Sequence, residues 1–311
     1  MQDTLRAIAA AAALTAAPAF AAEPLIAPQA LAAKLGDPDL VVIDVRSGVE
    51  NGGDAAAFAA GRVPGAVYAN YQDGGWRKEI DGVVGMLPPV SEIEGVIRAL
   101  GVDGDDHVVI YSAGRGPRGA DIGSATRVYW TLKALGHDEV SILDGGWKGW
   151  RAAGLPVESG APEAPAPGDF RADFQPELYA DASDVALAMT EGYDMVDARP
   201  TSQFTGESKS GVARRYGAIP GAVSYPITTM ITENGGRFLP AETIKARMAE
   251  LGVDGAEGAP ISYCNTGHWA SVVWFAISEL GGLEDARVYD GSMADWSAVP
   301  NRPMLKRAPA S

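Results

Sequence analysis

Short apolar runs alternate with longer amphipathic stretches along this chain. Leu40 to Val45, apart from Asp44, and Val108 to Tyr111 are short apolar runs bounded by turn residues. That pattern predicts strands covered on both faces, as in a parallel sheet. Pro260 to Tyr263 is a third such run. Ser91 to Leu100 and Ala241 to Leu251 repeat apolar residues at helical spacing and stop at Gly101 and Gly252. Glycine accepts the left-handed conformation that follows a helix end. Trp269 to Leu280 is apolar nearly all round and ends at Gly281-Gly282, which predicts a buried helix. Strands separated by helices predict α/β domains, each a mainly parallel sheet with helices on both faces. Ligands of such sheets sit at the carboxyl ends of the strands.

The pattern occurs twice. Val41-Val42-Ile43-Asp44-Val45-Arg46 resembles Asp194-Met195-Val196-Asp197-Ala198-Arg199. Pro64-Gly65-Ala66-Val67 recurs as Pro220-Gly221-Ala222-Val223, and Leu87-Pro88 as Leu239-Pro240. Leu100-Gly101-Val102-Asp103-Gly104 recurs as Leu251-Gly252-Val253-Asp254-Gly255. Ile110-Tyr111-Ser112 answers Ser262-Tyr263-Cys264, and Asp144-Gly145 with Trp150 answers Asp290-Gly291 with Trp296. Seven blocks kept in order at nearly constant spacing predict two copies of one domain. The copies are placed at 30–155 and 180–307. Residues 156–179 between them alternate Pro with small residues from Glu158 to Gly168, which suits an extended linker rather than a core.

The first 21 residues read as an address. Arg6 precedes an Ala/Ile/Leu run, and Ala19-Phe20-Ala21 puts small residues at the positions that determine cleavage. A secretory signal peptide cut before Ala22 is expected, and with it a periplasmic protein. No later run is long and apolar enough to span a membrane. The 40 acidic and 25 basic residues among 311 give a net charge of −15, which disfavours binding to phosphate backbones. The one cysteine rules out an internal disulfide framework and any Cys-x-x-Cys pair. His107, His137 and His268 are too scattered for a metal site, so neither a metal nor an organic cofactor is expected.

Cys264 follows the strand run directly, and Asn265-Thr266-Gly267-His268-Trp269-Ala270 leads into the apolar helix. A thiol between a strand end and a helix N-terminus meets unpaired N–H groups and the positive end of the helix dipole. Both favour thiolate over thiol. A buried structural cysteine is the alternative, since free cysteines pack well in cores. The polar Asn-Thr-Gly neighbours and an oxidising compartment count against it.

These pieces together resemble the rhodanese family of sulfurtransferases in its tandem two-domain form. They are Asp44-Val45-Arg46 and Asp197-Ala198-Arg199, Arg62-Val63-Pro64-Gly65-Ala66 and Ala218-Ile219-Pro220-Gly221-Ala222, Met86-Leu87-Pro88, Tyr263-Cys264-Asn265-Thr266-Gly267, and Tyr289-Asp290-Gly291-Ser292-Met293-Ala294-Asp295-Trp296. The resemblance implies two rhodanese-like domains with the site in the cleft between them. It implies a persulfide on Cys264, loaded from thiosulfate or 3-mercaptopyruvate and unloaded to cyanide, a thiol or another exported protein. The six amides after Cys264, up to Ala270, would cradle that anion. Ser112 stands where Cys264 stands in the other copy, so the first domain is read as catalytically silent.

The loop departs from both Cys-Arg-x-Gly-x-Thr and Cys-Gly-Ser-Gly-x-Thr, with Asn265 second and Trp269 where Thr is common. Gln203 takes the place of the arginine that binds the donor in the family, which leaves Arg199, Arg214 and Arg215 as candidate anion binders. Arg199 fits a structural ion pair equally well. His268 is read as a partner for donor or thiolate, or as pocket wall, and Trp269 as a pocket cap or the first core residue of the helix. Arg115 and Arg118 read as solvated or inter-domain surface, or as anion steering. A phosphatase of the Cys-x5-Arg type is excluded by Ala270 at the arginine position. The remaining alternatives are a persulfide carrier without turnover and a thiol redox sensor.

Overall fold

The computed structural model describes residues 22–115, 121–233 and 236–306. The segment read as a signal peptide, and Arg118, lie outside the described residues. Each half forms a five-stranded sheet. In the first half the strands lie in the order Leu25–Ile26, Val140–Leu143, His107–Tyr111, Leu40–Asp44, Val67–Tyr68. In the second half the order is Tyr179–Ala180, Arg287–Tyr289, Ile261–Tyr263, Met195–Asp197, Val223–Ser224. Every neighbouring pair is parallel. The two sheets match strand for strand, even in register, since Asp44 faces Tyr111 and Asp197 faces Tyr263. Parallel strands need crossovers, and helices supply them.

The expected helices form at Val90–Ala99 and Ala241–Leu251. Gly101 and Gly252, just past them, have φ of +80° and +68°. The apolar helix runs as His268–Phe275 and then widens into a π turn over Ala276–Leu280. The first sheet also takes an edge strand, Leu25–Ile26, from before residue 30. The Pro-rich connection lies against the first domain. Arg62 and Glu158 exchange backbone hydrogen bonds, Phe170 N–H donates to Val102, and the Phe170 ring is buried.

The two halves share one core. The helix Ile122–Ala134 of the first domain packs on His268–Phe275 of the second, with the Tyr129 ring edge-on to Phe275 at 4.9 Å. Thr126 and Ser271 hydroxyls are hydrogen-bonded at 2.9 Å, and Tyr129 donates to Glu279 at 2.7 Å. A hairpin of the first domain, Lys78–Ile80 with Val83–Met86, leads into Leu87, whose N–H donates to Asp290 of the second at 2.6 Å. The other Asp290 oxygen pairs with Arg127, and both side chains are fully buried. The duplicate contact exists in reverse: Arg237 of the second domain pairs with Asp144, the counterpart of Asp290.

Removing one partner of a buried ion pair strands the other charge in a medium that cannot solvate it. Arg127→Ala is therefore expected to cost about 3–5 kcal/mol in urea unfolding. A loss below about 1 kcal/mol, the range of an exposed pair, would show that this contact does not join the halves.

Candidate active site

Ile261–Tyr263 is the middle strand of the second sheet, and Cys264 is the first residue beyond its carboxyl end. The chain then turns sharply through Asn265 and Thr266 to Gly267, which caps the helix His268–Phe275 with φ of +73°. A Cβ at Gly267 would lie 2.4 Å from an Arg127 nitrogen and 2.9 Å from the Asp290 carbonyl, so no side chain fits there.

The loop is folded around a hydroxyl. Ser292 Oγ accepts from the backbone N–H of Cys264 and of Gly267, each at 3.1 Å, and donates to the Tyr289 carbonyl at 2.8 Å. The helix Ser292–Trp296 adds its own unpaired first-turn amides. Met293 N–H donates to the Cys264 carbonyl at 3.1 Å and Ala294 N–H to the Asn265 carbonyl at 2.9 Å. The first domain repeats this second device, with Trp147 and Lys148 amides on the Ser112 and Ala113 carbonyls. It lacks the first, because Gly146 stands where Ser292 stands. Both positions have positive φ, +54° and +48°. Glycine takes that conformation freely; Ser292 holds it at a cost, and its hydroxyl is what the conformation places.

Thr266 N–H points at Cys264 Sγ, 3.4 Å away. Of the amides expected to cradle an anion, this one reaches the sulfur, whereas the Gly267 amide is taken by Ser292. Cys264 is 2% exposed and touches the shared apolar core. Asn265 Nδ2 donates to Gln203 Oε1 at 3.0 Å, and among the described residues its buried Oδ1 has no hydrogen-bond partner. Gln203 thus holds the loop from the side. Trp269 packs against the core, as expected of a first core residue of the helix, and also walls a cavity of about 480 Å³ with Pro200, Thr201, Pro226 and Thr229. Ala270 is buried inside the helix.

The other candidate residues lie around the loop and its flanks. His268 reaches into the first domain. Its Nδ1 is hydrogen-bonded to the Tyr71 hydroxyl at 2.7 Å, and its ring lies over Gly123, both in the first domain. Burial keeps the Tyr71 phenol above its ordinary range, so it stays protonated in that contact. Arg199 forms the expected structural ion pair: it is fully buried, paired with Asp197 at 2.5 Å, and donates to the Gly217 carbonyl. Burial works against its charge, and the Asp197 carboxylate more than offsets this, holding the guanidinium above its usual range. Arg46 with Asp44 is the same device in the first domain. Arg215 donates to the carbonyls of Trp296, Ser297, Val299, Pro300 and Arg302, so it staples the C-terminal segment instead of binding a donor. Arg214 is exposed to solvent, with its N–H on Ser297 Oγ. Arg115 is exposed too.

Sequence reading missed Ser292, Tyr71 and Arg77. Arg77 Nη2 donates to the Thr266 carbonyl at 2.8 Å across the domain boundary. One signal was present for Ser292: the Asp-Gly block is duplicated, and the residue after it changes from Gly146 to Ser292 in step with Ser112 and Cys264. Among the described residues, no cluster of His, Cys, Asp and Glu could hold a metal ion.

Ser292→Ala leaves two buried N–H groups without an acceptor and is expected to cost about 2–3 kcal/mol. Ser292→Gly is expected to cost about 1 kcal/mol less, because it releases the positive-φ strain. Equal losses in urea unfolding would contradict the strain.

A family model described as the rhodanese-like domain matches residues 27–153 and again 181–299. The 3-mercaptopyruvate sulfurtransferase of Escherichia coli K12 is 32% identical over 279 residues, covering 88% of this chain and 95% of that protein. An Arabidopsis thaliana protein named thiosulfate/3-mercaptopyruvate sulfurtransferase 1, mitochondrial, is 29% identical over 300 residues, 88% of this chain and 76% of its own. The crystal structure of SseA from E. coli, a 3-mercaptopyruvate sulfotransferase of the rhodanese fold, superposes with a TM-score of 0.74. It is 31% identical and covers 86% of this chain and 98% of that one. Two matched domains, a duplicated parallel sheet and relatives of this similarity agree: the chain belongs to the tandem-domain rhodanese family of sulfurtransferases.

Proposed function

We propose that this protein is an exported sulfurtransferase that carries sulfur as a persulfide on Cys264. The observation behind this is the placement of the one thiol. It sits at the carboxyl end of the middle strand, with an amide of its own loop aimed at the sulfur. A donated N–H favours negative charge on sulfur, both as thiolate and as persulfide. The thiolate attacks the outer sulfur of the donor. With thiosulfate the donor S–S bond breaks and sulfite leaves with the electron pair. Cyanide or a thiol then attacks the outer sulfur, the persulfide S–S bond breaks, and the thiolate returns. No external oxidant or reductant is needed, and the two displacements make the kinetics ping-pong. At 2% exposure Cys264 is shielded from bulk water, which protects a persulfide there from hydrolysis.

Thiosulfate is the preferred donor on this reading, because the loop lacks Cys-Gly-Ser-Gly and the N-terminal segment reads as an export signal. The name of the E. coli relative favours 3-mercaptopyruvate as a second reading. Ser112 cannot carry sulfane sulfur, so the first domain shapes the site without turning over.

Thiocyanate formation from each donor with cyanide tests the proposal. Multiple turnover is expected from the wild type and none from Cys264→Ser, while Ser112→Ala retains activity within about twofold. Activity surviving in Cys264→Ser would refute the mechanism. A single stoichiometric discharge would assign a carrier instead. N-terminal sequencing of protein recovered from the periplasm is expected to begin at Ala22; recovery of the full chain from the cytoplasm would overturn export.

A further inference from the structure

A sulfur donor of either class is an anion, and a chain of net charge −15 must supply a local cation to hold it. The cations near the loop are mostly committed. Arg199 is paired with Asp197, Arg127 with Asp290, and Arg215 is spent on five carbonyls. Arg77 is different. It comes from the first domain, just before the hairpin. Its Nη2 donates to Thr266 O at 2.8 Å and its Nε to Gly85 O at 3.2 Å. Its Cζ lies 5.7 Å from the centre of the Tyr71 ring. Among the described residues no carboxylate pairs with it; beyond the two carbonyls its polar neighbour is the Tyr71 hydroxyl.

The position is built. Gly85 has φ of +86°, and a Cβ there would lie 2.0 Å from Arg77 Nη2 and 3.0 Å from Thr266 O. Only glycine leaves room for the guanidinium to reach the loop. Arg77, Tyr71, Gly85 and Thr266 border a cavity of about 390 Å³. Lys78 and Glu79 also border it, but Lys78 is paired with Glu92. Thr266 joins the two sides: its carbonyl meets Arg77 and its N–H meets Cys264 Sγ.

We propose that Arg77, contributed by the domain without a cysteine, binds the oxyanion end of the donor, the sulfonate of thiosulfate or the carboxylate of 3-mercaptopyruvate. This rests on the sulfurtransferase reading. It also gives the silent domain a chemical task. A planar guanidinium with open donors matches either oxyanion, and the charge adds to each hydrogen bond.

Cys264→Ser protein binds a donor without reacting, so calorimetry on that background reads the site directly. Adding Arg77→Gln is expected to weaken binding of thiosulfate and of 3-mercaptopyruvate about tenfold or more, with Arg77→Lys between. A loss for one donor alone identifies which oxyanion is held there. In the otherwise wild-type enzyme, Arg77→Gln is expected to raise the donor KM while cyanide discharges a preformed persulfide at a rate within about twofold of normal. Unchanged donor binding would overturn the assignment. So would an equal loss in both half-reactions, which marks a residue that only positions the loop. Absence of turnover in the wild type would sink the sulfurtransferase reading by itself, and the binding result would still judge Arg77.

Discussion

The site depends on one hydroxyl. Ser292 Oγ gathers the amides of Cys264 and Gly267 and thereby sets the curvature of the residues between them. Thr266 lies inside that curve, which is why its N–H meets the sulfur while its carbonyl faces the neighbouring domain. The hydroxyl is available only because Ser292 accepts a φ of +48°, a conformation that its counterpart Gly146 reaches without strain. Stored strain of this kind costs about 1–3 kcal/mol and persists where surrounding contacts enforce it. Here three hydrogen bonds to one oxygen do so.

Symmetry of fold and asymmetry of chemistry follow from the same duplication. Both halves keep the parallel sheet, the Asp-x-Arg ion pair at the strand end, and the helix whose first amides grip the loop carbonyls. Each half also sends an arginine to the other: Arg127 to Asp290, and Arg237 to Asp144. The two contacts are unequal. The pair beside the cysteine loop is fully buried, whereas Arg237 is 47% exposed. Burial of a charged pair stabilises only when its geometry is well satisfied, so the tighter contact falls where loop shape matters. The first domain adds Arg77 and Tyr71 around Thr266 and His268, and so encloses the loop from outside.

The sheet, the helices and the repeat were legible in the sequence because they rest on local periodicity and punctuation. The position of Cys264 was legible too, since a strand run, a polar turn and an apolar helix follow one another directly. Roles that depend on contacts distant in sequence were not. His268 was open to two readings, as a partner for donor or thiolate or as pocket wall, and its contact with Tyr71, 197 residues off, left no local signal. Arg215 looked like an anion binder until the C-terminal segment folded over it. Arg199 was open to two readings, and burial beside Asp197 decides for the ion pair. Arg77 carries no local pattern at all; Gly85, eight residues on, is what admits it to the loop.

The central claim is that Cys264 accepts a sulfur atom at this loop. Intact mass of the protein after incubation with thiosulfate, and in parallel with 3-mercaptopyruvate, tests it most directly. A gain of about 32 Da confined to Cys264 and removed by cyanide is the result this account requires. No gain with either donor, or a gain that survives in Cys264→Ser, would contradict it.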